Sequence, residues 1–408
     1  MPAQTYRRKD FISVCVAFLT STLIVWQATV RAADSPAPSP RLAWLHDGLA
    51  FTSTWYALSH SGHATDFKED ENGNFIAPDG TTLQGTERSS TSAGGITQTI
   101  ISCIDGQKVF LVGSAYSDMR LLGFPDPVSQ GTPRTYLVGT NSQVDLWIDP
   151  ARLDQYRATP PENTVVAPLQ WKSGNQMVNA IRVTNVTPNH YIDHIYDANS
   201  GLCLHAAEAS TGAAPQLKYL APGDTGQGDT QLAVFDLVSL RDVKTPWAAE
   251  PMPTWTSQFK VLHYTGQTQG PNPFIDGPPK QLGLDVTRLD SGNGWLSLAT
   301  AGCLYVQGQP RFPSKGFYLS GHDQYASFFA GPNALATLQQ GQVLDNDPVT
   351  HVQTSVGTVD GNSVTIVSES GGGQSFRTFD RQSGKLIAFG NVSALTRYRT
   401  TFQLQGEE

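Results

Sequence analysis

His190-Tyr-Ile-Asp-His-Ile-Tyr-Asp-Ala-Asn-Ser-Gly-Leu-Cys-Leu-His205 is the stretch whose reading decides the fold. It returns near the C-terminus as Ser375-Phe-Arg-Thr-Phe-Asp-Arg-Gln-Ser-Gly-Lys-Leu-Ile-Ala388. Both copies read aromatic-Asp-x-x-Ser-Gly-x-apolar. Asp can bond the turn backbone and Gly can take the left-handed position, so each copy is predicted to be a β-hairpin closed by a four-residue turn.

Other hairpin signals surround these two. Ile96 to Cys103 and Lys108 to Gly113 flank Asp105-Gly106, and Leu282 to Leu289 and Trp295 to Ala299 flank Ser-Gly-Asn-Gly. Two short helices are expected, one at Asp149-Pro-Ala-Arg-Leu-Asp-Gln-Tyr-Arg157 and one from Phe329 to Leu338. In each a proline occupies the first turn, where no backbone N–H is needed. The landmarks repeat in order: Gly106 and Gly292 are 186 apart, Pro150 and Pro332 are 182 apart, and Asp197 and Asp380 are 183 apart. A near-constant offset across unlike features indicates an internal duplication. The fold class that follows is mainly β, with two tandem duplicated antiparallel curved-sheet domains of half-barrel type, each with one short helix. The expected boundaries are 42–243 for the first β repeat domain, 244–254 for a linker and 255–408 for the second. The segment 62–95, with its Asn72-Gly73 turn, is read as an insertion private to copy one.

Composition agrees with this. In 408 residues there are 38 glycines and 26 prolines, and only 15% of the chain is charged. That is the composition of many short strands and turns and not of a helical bundle. Arg7, Arg8 and Lys9 precede an apolar run from Phe11 to Trp26, followed by Val30-Arg31-Ala32, so residues 1–32 read as a signal peptide and 33–41 as a Pro-rich tether. The expected location is extracytoplasmic, periplasmic or secreted, with no stable transmembrane segment after cleavage. Removing residues 1–32 takes four basic and one acidic residue from totals of 27 and 35, leaving 23 against 34 and a net charge of −11. Such a surface does not attract nucleic acid. Cys103, Cys203 and Cys303 then remain, all in apolar strand contexts. They read mainly as small core residues, with one disulfide allowed and its pairing open.

The hairpin motif resembles that of exported half-barrel proteins of the lipoprotein-carrier and mycobacterial-lipoprotein type. It is similar also to uncharacterised exported bacterial proteins with Tyr-Asp-x-x-Thr-Gly-Leu-Leu. The matching residues are Tyr196, Asp197, Ser200, Gly201 and Leu202, and Phe379, Asp380, Ser383, Gly384 and Leu386. The resemblance implies a curved sheet wrapped over an apolar cavity with the helix as a lid, suited to acyl chains or other hydrophobic cargo. This chain differs in being duplicated and in lacking an acylation cysteine.

Chemistry is sparsely signalled. There is no Gly-x-Ser-x-Gly elbow and no His-Glu-x-x-His. A four-residue turn at Asp197 sets Tyr196 opposite Cys203 and His194 opposite His205, placing His190, His194 and His205 on one face as a candidate zinc or copper site. The same pattern suits histidines that decorate a solvated face. His322-Asp323 reads as an acid–base pair or as a polar turn cluster.

The expected function is non-catalytic binding of an apolar or lipid-like ligand between sheet and helix, with no cofactor. The expected lining is Trp55, Trp147 and Tyr156 in copy one, and Phe259, Phe329 and Leu338 in copy two. The partner would be a hydrophobic small molecule or lipid. Two alternatives stand beside it: an envelope module that binds another protein, and an exported metal-dependent or hydrolytic enzyme.

Overall fold

The structure is a computed structural model of the chain. It describes residues 42–61, 68–69, 75–76, 82–83, 89–117, 128–129, 134–140, 142–143, 145–187, 190–211, 230–271, 278–306, 308–394 and 396–408. The expected signal peptide and tether lie outside the described residues, as does Asn72-Gly73. Within the expected insertion, three two-residue strands pair, Lys68 with Ile76 and Phe75 with Leu83.

Among the described residues the protein is mainly β, built on two large antiparallel sheets of 12 and 10 strands. The long strands of the first are β1 (Leu49–Ser61), β2 (Ser89–Asp105), β3 (Lys108–Ser117) and β4 (Arg134–Gly139) before helix α1 (Pro150–Ala158). After it come β5 (Thr164–Ser173), β6 (Gln176–Thr187), β7 (His190–Asp197), β8 (Cys203–Thr211) and β9 (Thr230–Asp242). The second sheet has β10 (Val261–Gln269), β11 (Lys280–Gly292), β12 (Trp295–Val306) and β13 (Gln309–Gly321), then α2 (Pro332–Thr337). It ends with β14 (Val343–Asn346), β15 (Gln353–Val359), β16 (Ser363–Ser370), β17 (Gly373–Asp380), β18 (Leu386–Ser393) and β19 (Arg399–Glu407).

The long strands of the first sheet run in the order β4-β3-β2-β1-β9-β8-β7-β6-β5. The second repeats it as β13-β12-β11-β10-β19-β18-β17-β16-β15-β14. In each, the first strand of the copy pairs with the last, and the helix stands between two meanders. The duplication expected from three landmarks is therefore a duplication of topology.

The repeated hairpin shows why the two copies build alike. Asp197 Oδ1 accepts the N–H of Asn199 at 3.0 Å, the N–H of Ser200 at 2.7 Å and the Ser200 hydroxyl at 2.8 Å. Asp380 Oδ1 accepts the Ser383 N–H at 2.7 Å and its hydroxyl at 2.5 Å. Gly201 and Gly384 close the turns at φ +73° and +71°. They also let another backbone come close, because a Cβ on Gly201 would lie 1.9 Å from the Ile148 carbonyl oxygen and one on Gly384 1.9 Å from that of Ala330. Ile148 N–H donates to Gly201 O and Ala330 N–H to Gly384 O, both at 2.9 Å. The turn thus docks the chain segment that leads into each helix.

The helix starts are solved differently. Asp149 caps α1 through Ala151 N–H at 2.8 Å. In copy two Gly331 stands at the cap, and the carboxylate of Glu250 reaches in to accept the N–H groups of Ala334 at 2.5 Å and Asn333 at 3.2 Å. Either way orphan donors of the first turn meet a carboxylate.

By packing the chain falls into two units. One comprises Met1–Leu42, Ser53–Gly95 and Asn141–Val238, the other Ala43–Thr52, Ile96–Thr140 and Ser239–Glu408. The first unit has a core of Ile148, Leu153, Ile181, Tyr196, Cys203 and Ala206. The second has a larger core that includes Trp247, Leu262, Val286, Leu298, Leu335, Ile366, Phe379 and Leu386. Cys103, Cys203 and Cys303 are all free thiols, so the disulfide left open by the sequence is absent among the described residues. No helix among these residues is long and apolar enough to cross a membrane.

Candidate functional site

The candidate site lies on the core face of the second sheet. Strand alternation and register place Tyr264, Ile366, Arg377, Phe379, Phe389, Phe402 and Leu404 on this face. Under α2 it is fully covered, with Leu335, Val364, Phe379 and Leu386 at 0% exposure. Further along, Leu284, Tyr318, Phe389, Phe402 and Leu404 pack against the core yet stay only partly buried. The rings of Phe389 and Phe402 stack, with centroids 5.0 Å apart and planes at 19°. One six-residue helix cannot cover the apolar face of ten strands, and this aromatic wall is the part left over.

Arg377 sits within that wall. On the ladder it stands directly between Ile366 on β16 and Phe389 on β18. Its guanidinium carbon is 5.9 Å from the Phe389 ring centroid, a cation–π contact. Among the described residues it has no hydrogen bond and no ion pair. Burial pulls its pKa below the usual arginine value, opposed in part by interaction with Tyr318 and Tyr264. Both phenols are already engaged: Tyr264 donates to Leu386 O and Tyr318 to Ala326 O, each at 2.8 Å. Burial raises the pKa of each, so both stay neutral donors. A groove of about 310 Å3 is lined by Thr265, Gln267, Gln281 and Gln403 together with Phe376 and Phe402.

Of the lining expected from sequence, Phe259, Phe329 and Leu338 come together in the second core, at 4%, 2% and 4% exposure. In the first unit Trp147 is fully buried and bridges to Leu202, while Tyr156 is half-buried against the core around Leu153. Trp55 is buried too, and its indole N–H meets no acceptor among the described residues. Arg377 was legible from sequence only as the position in copy two that matches His194. Nothing in the local pattern shows that the strand turns this cation toward the core.

The histidine cluster is a correction. Tyr196 does pair with Cys203, but the register shifts between Ile195 and Tyr196, so His194 pairs with Ala206 and His205 with Ile195. The shift turns His205 to the other face, against Trp171. Each imidazole has its own carboxylate: His190 with Glu208 at 2.6 Å, His194 with Asp145 at 3.0 Å and His205 with Asp236 at 2.7 Å. The three do not converge.

A different trio could hold a metal ion by its donor set, and the sequence reading did not assemble it. The donor atoms of Asp47, Cys103 and His322 all lie within 4.8 Å of one another. Asp47 already accepts His322 Nε2 at 2.8 Å and the Ile104 N–H at 2.6 Å. The Cys103 thiol donates to Asn293 O at 3.3 Å. Burial, then the charges of Asp47, Asp105 and Asp323, push the thiol pKa far up, so it stays protonated. As it stands Asp47 and His322 form a hydrogen-bonded tie, and the protonated thiol of Cys103 beside them is not a nucleophile with its base. His322-Asp323, read from sequence as an acid–base pair or a polar turn cluster, lies beside this tie: Asp323 Oδ2 is 3.9 Å from His322 Nε2, and Asp323 accepts Thr245 N–H at 3.2 Å.

No family model matches the chain, and no curated protein matches it. Among solved structures, a mutant of the vaccine antigen Transferrin Binding Protein B from Haemophilus parasuis Hp5 is similar at 9% identity and a TM-score of 0.15, over 89% of this chain and 77% of that one. Intact Ap-TbpB, with its N and C lobes, is similar at 10% identity and a TM-score of 0.13, over 92% and 80%. At such scores neither likeness bears on what the chain does.

Proposed function

We propose that this is an exported, non-catalytic binding protein for an apolar, lipid-like ligand, held against the core face of a sheet beside its helix. One observation carries the reading: the apolar face of the second sheet runs past the buried core into the partly exposed wall of Phe389, Phe402 and Leu404. An amphipathic or acyl ligand would bury that remainder at about 25 cal/mol per Å2 of apolar surface removed from water. Phe259, Phe329 and Leu338 would form the closed floor of this site, and Trp55, Trp147 and Tyr156 the corresponding lining in copy one. Export rests on the signal-like residues 1–32, and we assign residues 42–243 and 255–408 to the two copies of the binding module.

The test is native mass spectrometry of the full chain purified gently from an exporting host, followed by denaturation and identification of what is released. A stoichiometric apolar molecule, lost in Phe402→Asp, is the expected result. A bare wild-type chain that also fails to take up long-chain lipids offered in solution would overturn the reading.

A further inference from the structure

We propose that Arg377 anchors the oxyanion of an amphiphile, a carboxylate or phosphate head group whose hydrocarbon chain lies along Phe389 and Phe402. The inference rests on the binding reading above and adds the chemical class of the ligand.

The position of the side chain is the first argument. Arg377 lies on the core face, between Ile366, which is 2% exposed, and Phe389, and is itself partly buried. A charge drawn part-way out of bulk water is favoured by a partner of opposite sign. Here the contact with the Phe389 ring is the only direct interaction its guanidinium makes among the described residues. An aromatic face offsets part of the desolvation and leaves the five N–H donors of the planar fork unused.

The second argument comes from the other copy. With the offset of 183, Arg377 occupies the place of His194, and its partner Phe389 that of Ala206. Even the irregularity is repeated, between Ile195 and Tyr196 in one copy and Thr378 and Phe379 in the other. In copy one this cation-capable side chain is satisfied internally, since His194 meets Asp145 at 3.0 Å. The residue equivalent to Asp145, taken at the helix offset of 182, is Ser327. That hydroxyl is uncharged and already bonded to Ser320 Oγ at 2.7 Å. The equivalence is supported by matching backbone bonds, from Cys203 N–H to Leu146 O and from Leu386 N–H to Phe328 O. Copy two has thus kept a cation facing the interior and has no carboxylate in the place where copy one supplies one.

The third argument is the sign. Among the described residues the titratable groups that act on Arg377 are Tyr318 and Tyr264, both neutral phenols with their hydroxyls engaged. Among these residues the local charge is therefore a single positive one, which favours an anion. A planar fork suits the two oxygens of a carboxylate or phosphate, and the adjacent stacked rings suit a chain.

The test uses the full chain and titration calorimetry with three probes of one chain length: hexadecanoate, hexadecyl phosphate and hexadecanol. The wild type should bind both anions about tenfold or more tighter than the alcohol, the size of one charge-assisted hydrogen bond. Whichever anion binds tighter names the head group. Arg377→Leu should lose the preference and keep its affinity for hexadecanol, and Arg377→Lys should retain part of it. Retained hexadecanol binding shows that the leucine variant is folded, and removing a partly buried cation that has no ion pair among the described residues should not lower its melting temperature. Equal affinities in the wild type, or an unchanged preference in Arg377→Leu, would overturn the inference alone. Displacement of hexadecyl phosphate by equimolar inorganic phosphate would show a site for free anions and overturn the amphiphile. Failure of all three probes to bind would bring down the binding reading and this inference with it.

Discussion

His322 Nε2 stands 2.8 Å from Asp47 Oδ2, tying the loop after β13 to the turn before β1 across 275 residues of sequence. The contact is a hydrogen bond when the ring is neutral and becomes an ion pair when it is protonated.

This contact gives the stability of the protein a pH dependence. Burial disfavours the imidazolium, but the bond to Asp47 and the charges of Asp323 and Asp47 outweigh it and raise the His322 pKa above 6.5. A raised folded-state pKa stabilises fully below the unfolded value, and the contribution is lost as pH climbs through the folded value. Melting temperature should therefore fall across that window in the wild type, and His322→Gln should flatten this part of the profile. Parallel profiles in the two proteins would contradict the assignment.

Glycines with the same sign of φ should differ sharply in tolerance. Gly106 lies at φ +60° with open space around its missing side chain. Gly106→Ala should cost only the left-handed backbone, about 1 kcal/mol. Gly201→Ala adds a collision with the Ile148 carbonyl 1.9 Å away and must part the turn from the segment leading into α1. Its cost should exceed that of Gly106→Ala by about 2 kcal/mol or more, measured by denaturant unfolding.

Asp193 is a buried carboxylate, 5% exposed, gripped by Arg182 through Nε at 2.8 Å and Nη2 at 2.6 Å. Burial alone would raise its pKa, yet the bonds and charge of Arg182 and the Thr184 hydroxyl bring it below 3.8. The stabilisation is present above the unfolded pKa and lost as pH falls through the folded one. Arg182→Met should strand the carboxylate and cost about 2 kcal/mol, because the guanidinium side of the pair is half-exposed and screened. The double variant Arg182→Met with Asp193→Leu should recover most of that loss.

Thiol labelling should follow burial. Cys103 and Cys203 are buried at 1% and 4% exposure, and burial drives both thiol pKa values well up. Cys303 is only partly buried. Under native conditions iodoacetamide should modify Cys303 first, and the other two only after unfolding. Early modification of Cys103 would show that the packing around this thiol opens readily.

What is local or periodic in this protein follows from the residues alone. The Asp and Gly of the two Ser-Gly turns dictate their hairpins through bonds spanning two or three residues, the prolines set the starts of both helices, and the even offset between landmarks fixed the duplication. Those features are strong enough that both sheets come out with one strand order. Only the tertiary structure decided what depends on partners far along the chain. The irregularity beside Tyr196 breaks strict alternation and sends His205 to the face opposite His194, because one extra residue on a strand reverses every side chain beyond it. Glu250 caps a helix that begins 82 positions later at Pro332, where the local sequence offers only Gly331. Among the described residues Arg377 has no ion pair for a like reason: the carboxylate that would answer it belongs to a different segment, and at that segment's place in copy two the chain has Ser327. Pairing is a property of three-dimensional neighbours, and no window of sequence around Arg377 contains them.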